Sequence, residues 1–159
     1  MNFPRFICGP RPIVYNTPDR LLIITIMLTV AINTATQKIS VALVQGGRVL
    51  GEKSWPGKKD EAEKVLPNIE KLLKKNNKNW KDVGEVFIVA GPGPFTGLRV
   101  GVTTANALAW TVRGKIVSVN VFDYLRAVIP SGISRPAVLL VKAGGDFMAF
   151  QGPTMKKHR

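Results

Sequence analysis

From Leu28 onward, apolar and polar positions follow two periods in turn. Leu28 to Ala31 is apolar, Asn33-Thr34-Ala35-Thr36 is small and polar, and Ile39 to Val44 alternates as far as a Gly46-Gly47 turn, after which Val49 and Leu50 open a third run. This order predicts an antiparallel meander of three strands. Between Asp60 and Asn76 the period changes: Ala62, Val65, Leu66, Ile69, Leu72 and Leu73 stand three and four apart and form one stripe of a helix. The stripe belongs by default to the core. Pro67 lies inside it and predicts a kink or a packing adjustment. Val86 to Ala90 is short and wholly apolar, as for a central strand covered on both faces.

Gly91 to Arg99, read GPGPFTGLR, then turns the chain into a helix from Leu98 to about Val112, with Thr96 expected to cap it. Gly97, Gly101, Ala105 and Ala109 recur every fourth residue, so one face of this helix is nearly bare. That face suits either close packing on its own sheet or a helix contact with a second subunit. Ile116 to Val121 predicts a strand, and Phe122 to Ile129 a short helix ended by Pro130. Pro136 to Lys142 and Phe147 to Phe150, joined by Ala143-Gly144-Gly145-Asp146, read as a hairpin, followed by a basic tail ending Lys156-Lys157-His158-Arg159.

The first 26 residues are of another kind. Pro4, Pro10, Pro12 and Pro18 interrupt any regular element, and the apolar run Leu21 to Ile32 is well short of the ~20 residues a spanning helix needs. Its β-branched residues suit a buried strand better than a secretory signal. Residues 1–26 are therefore expected to be an extension or a mis-assigned start, 27–130 a first lobe, 131–151 the opening of a truncated second lobe, and 152–159 a tail.

Composition narrows the chemistry. A chain of 159 residues with 45% hydrophobic content can bury one core. The single cysteine, Cys8, allows no internal disulfide and reads as structural or incidental. Lysine and arginine number 23 against 10 acidic residues, a formal charge of +13 that favours polyanionic neighbours. Along Lys53 to Lys81 the lysines are interleaved with Glu52, Asp60, Glu61, Glu63, Glu70 and Asp82, the pattern of a solvated helix face. No aromatic residue alternates with these lysines, which argues against a stacking platform for single strands.

The polar turn and the glycine-proline corner supply phosphate-loop-like positions: Asn33, Thr34 and Thr36 on one side, Gly91, Gly93 and Thr96 on the other. Free N–H groups at such a corner could meet an anion or another chain, and an ordinary strand-to-helix loop would look the same. Catalysis and a protein-held metal find little support. The one histidine, His158, lies in the basic end and cannot serve a serine or cysteine nucleophile.

Taken together, Thr29 to Glu52 (TVAINTATQKISVALVQGGRVLGE), Leu66 to Leu73 (LPNIEKLL), Val89 to Ala109 (VAGPGPFTGLRVGVTTANALA) and Lys142 to Phe150 (VKAGGDFMAF) resemble the TsaB family, also called YeaZ. The resemblance covers about Met27 to Phe150. It implies an α/β fold: the first lobe of an actin-like ATPase (ribonuclease H-like), a mixed sheet with helices on its faces, followed by a truncated second lobe.

It also implies a cytoplasmic, non-catalytic partner of TsaD in threonylcarbamoyladenosine (t6A) modification of tRNA. The ATPase TsaE would join the pair, tRNA would be met only through the complex, and self-pairing would be an alternative to the TsaD contact. No membrane is involved. Neither a cofactor nor a metal is expected on the chain alone, although a nucleotide could sit at the complex interface. Family members pair through the helices of the first lobe, which places the partner interface at Val65, Ile69, Leu72, Gly97, Gly101 and Ala105. Two departures from the family stand out: many members keep Asp where this chain has Asn33, and Lys142-Ala143-Gly144 replaces an Asp-Ala-Arg-type segment. A stand-alone actin-like ATPase and a free RNA-binding protein are the competing readings.

Overall fold

The computed structural model describes residues 27–58, 60–128, 138–143 and 146–151. The expectations for the leader, for Pro130 and for the tail fall outside the described residues. Strands β1 (Leu28–Asn33), β2 (Lys38–Gln45) and β3 (Arg48–Pro56) form the expected antiparallel meander. Helix α1 (Glu61–Lys75) and a 3-10 turn (Trp80–Asp82) lead to β4 (Val83–Val89), then α2 (Phe95–Val112), β5 (Lys115–Val119) and α3 (Val121–Val128). The sheet has five strands in the order β3-β2-β1-β4-β5, with β4 parallel to both β1 and β5. A separate hairpin follows, β6 (Val138–Ala143) paired with β7 (Asp146–Gln151).

The two periods of the sequence explain the layers. Alternate residues of the strands (Val30 and Ile32; Ile39, Val41 and Leu43; Val86 and Ile88) join Val65, Ile69 and Leu73 of α1 and Ala105 and Leu108 of α2 in the main core. Each such aliphatic side chain contributes roughly 1.5–3 kcal/mol when fully buried. Helix α1 lies over β2 and β3, and α2 lies chiefly over β4. On the other face Ala31, Ala42 and Phe87 pack together across three strands. Beside them Val89, Val121, Phe122 and Tyr124 form a second cluster with Val141 of the hairpin.

Several bounds differ from those expected. α2 starts at Phe95 rather than Leu98, because Pro94, at φ −58°, already suits the residue before a first helical turn. The 3-10 turn had not been expected. Its signal was there: Asn79 accepts from Lys81 N at 2.9 Å while Asp82 accepts from Asn79 N at 2.8 Å, a reciprocal cap. α1 runs as one helix through Pro67.

Candidate functional site

The polar turn after β1 and the corner before α2 meet as a packed joint. Asn33, only 1% exposed, accepts a hydrogen bond from Ala35 N through Oδ1 at 3.1 Å and donates from Nδ2 to Thr36 Oγ1 at 3.1 Å. Thr36 in turn donates from its hydroxyl to the Lys38 carbonyl at 2.8 Å. The amide that would face a nucleotide therefore closes its own turn. Against this turn lies the corner, where Gly91 takes φ 105°, open to glycine and strained for other residues. The Val121 N–H donates to the Gly91 carbonyl at 2.8 Å and fastens the corner to α3.

A Cβ on Gly93 would overlap the Ala35 carbonyl, one on Gly97 the Thr34 carbonyl, and one on Gly101 the Thr34 hydroxyl. Thus the phosphate-loop-like positions Asn33, Thr34, Gly93 and their neighbours do come together, but backbone oxygen fills the space between them. At these glycines the corner packs closely on the turn, one of the two readings the sequence left open. Thr96 needs a correction. It is exposed within the first turn of α2, the N-cap is Pro94, and no side chain caps the helix.

The bare ridge is also placed differently from the expected partner interface. Gly97, Gly101 and Ala105 are buried against the β1–β2 turn and β4, and Val65, Ile69 and Leu72 are buried in the main core. All six are buried within the chain itself. The physical reason is that missing side chains let α2 settle directly on Thr34 and Ile88.

The opposite side of α2 is the one left open. Phe95 is 61% exposed, Val102 39% and Trp110 87%, and they share one face with Arg99 and Asn106 by steps of three and four. The Arg99 guanidinium lies 3.9 Å from the centre of the Phe95 ring. Leu66 of α1 is 46% exposed. The sequence did contain this signal, since Phe95 and Trp110 stand off the glycine-alanine stripe while keeping helical spacing.

A second site lies on the other face of the sheet. Register pairs Asn33 with Ser40, Ser40 with Ser54, and Ala42 with Glu52, so one row of that face turns polar toward β3. Above it α3 sets Tyr124, Leu125 and Val128, enclosing a cavity of about 270 Å³ that Thr36, Gln37, Lys38, Ser40, Glu52 and Ser54 also line. Burial pushes the Tyr124 phenol above its usual range, hydrogen bonding with Asn33 pulls the other way, and the charge of Glu52 adds to the rise. Ser40, Ser54 and Tyr124 were not legible as site residues. Only strand register places the serines beside Asn33. Among the described residues no group of three or more His, Cys, Asp and Glu comes together, and no helix is long and apolar enough to cross a membrane.

Comparison with known proteins adds to this geometry. Residues 55–152 match the family model described as TsaD, tRNA N6-adenosine threonylcarbamoyltransferase. A Bacillus subtilis relative, "tRNA threonylcarbamoyladenosine biosynthesis protein TsaB", is 31% identical over 101 residues, 64% of this chain and 44% of its own length. Its Escherichia coli counterpart is 33% identical over 84 residues, 52% of this chain and 36% of its own. Among solved structures, YeaZ from Pseudomonas aeruginosa superposes with a TM-score of 0.67 at 24% identity, covering 84% of this chain and 65% of that one, a likeness of fold. The chain spans less than half the length of these two curated relatives.

Proposed function

This chain belongs to the TsaB (YeaZ) family, and on that premise we propose that it is a partner subunit, itself without catalysis, for a TsaD-type transferase in t6A modification of tRNA. The observation that carries the reading is the outward face of α2, where Phe95, Val102 and Trp110 leave apolar surface open beside a match to the TsaD family. Large exposed aromatics on a rigid helix are the anchors expected of a protein interface. The joint at Asn33 supports the non-catalytic part, because the amide that would replace a nucleotide-orienting carboxylate is held inside its own turn. Such a subunit needs no nucleotide or metal of its own. Any nucleotide would sit at the interface of the complex, a TsaE-type ATPase would join the assembly, and the work would take place in the cytoplasm.

The test is co-purification with TsaD from the same cells. Trp110→Asp and Val102→Asp should abolish association while the variants keep the melting behaviour of the parent chain. Retained association would sink the assignment of this face. Self-association lost with the same substitutions would instead mark the face as an interface between copies. ATP turnover by the isolated chain would overturn the non-catalytic reading.

A further inference from the structure

We infer that the groove between β3 and α1 is a contact site for single-stranded RNA, a direct role beyond the indirect one in the proposed function. The groove has a volume of about 380 Å³ and is lined by Trp55 and Lys53 from β3 and by Lys64, Pro67, Asn68 and Lys71, with Glu63, from α1. Along the sequence Trp55 follows Lys53 by two residues on β3, while the α1 lysines Lys64 and Lys71 have no aromatic neighbour. The fold supplies one, because β3 runs beside α1 and sets the indole of Trp55 among the cations.

Lys64 is held by Asp60, but Lys53 and Lys71 make no ion pair among the described residues and are exposed. The groove thus carries two lysines without an ion pair together with an indole and a proline ring in its lining. That is the chemistry of a base with its neighbouring phosphates, the base against the aromatic ring and the lysines along the backbone. An acidic peptide would use the lysines and leave the indole and the proline unmatched. The formal charge of +13 would draw RNA to the surface, and the groove would fix where it rests.

The test uses the full chain without any partner, so its failure is separable from failure of the docking face. In a Trp80→Phe, Trp110→Phe background Trp55 is the one fluorophore of its kind, since the chain has 3 tryptophans. Titration with a short single-stranded RNA oligonucleotide should quench it. Lys53→Ser with Lys71→Ser should weaken binding about tenfold near 0.1 M salt and flatten the logarithmic salt slope by about 1.4, two lost phosphate contacts at ~0.7 each.

Lys81→Ser with Lys115→Ser removes the same charge away from the groove and should change affinity less than about threefold by comparison. Equal loss in both pairs would mean diffuse attraction and overturn the inference. Absence of quenching would overturn it, as would stronger quenching by anionic vesicles or polyglutamate than by RNA.

Discussion

Glycine at positions 93 and 97 is a requirement of contact with carbonyl oxygens of the β1–β2 turn, because the atom a side chain would add has nowhere to go. Gly93→Ala and Gly97→Ala should each cost about 1–3 kcal/mol or more by overpacking, read as a lowered denaturant midpoint with an unchanged slope. A Cβ on Gly101 would overlap the hydroxyl of Thr34, a buried and β-branched side chain with little freedom to turn away, so Gly101→Ala should lower the midpoint as well. Tyr124 gives a prediction in pH. Its folded pKa lies above the ordinary value near 10, so the buried phenol supports the fold below about pH 10 and that support is lost as pH rises through the folded value. An ultraviolet titration in a Tyr15→Phe background should show phenolate forming later in the folded chain than in denaturant. Coincident curves would contradict the burial argument.

At the scale of elements, α1 and α2 differ in how they meet the sheet. α1 uses branched side chains as its contact stripe, whereas α2 uses the absence of side chains. Pro67 in α1 removes a backbone donor and is itself exposed, so Pro67→Ala should raise stability, by up to ~3 kcal/mol on helix propensity, seen in the unfolding free energy. Helix α2 owes its open apolar face to the same geometry that buries its ridge. Once Gly97, Gly101 and Ala105 turn inward, the helical period turns Phe95, Val102 and Trp110 outward.

For the whole molecule, the consequence is two unlike surfaces. One is an apolar helix face without a covering element among the described residues, and the other a basic groove at the sheet edge. A partner that binds the folded chain alone should stabilise it by mass action, about 2.7 kcal/mol at a hundred times its dissociation constant. Thermal melting of the chain with rising TsaD concentration should therefore shift upward for the parent and stay fixed for Trp110→Asp. Oligonucleotide at the groove should shift both alike, since β3 and the outer face of α2 lie on different elements.

The order of elements, the meander, the two main helices and the bare ridge were legible in the amino-acid sequence, because each rests on a local period or on residues a few positions apart. Which way the ridge points was not. A stripe of small residues permits close approach by any backbone, and only the assembled sheet shows that the β1–β2 turn is the one that approaches. The same holds for the polar row from Asn33 to Ser54 and for Trp55 beside the lysines of α1, which strand register and the lie of α1 over β3 bring together. Periodicity fixes what a segment can bury, and tertiary packing decides against what it is buried and what remains outside.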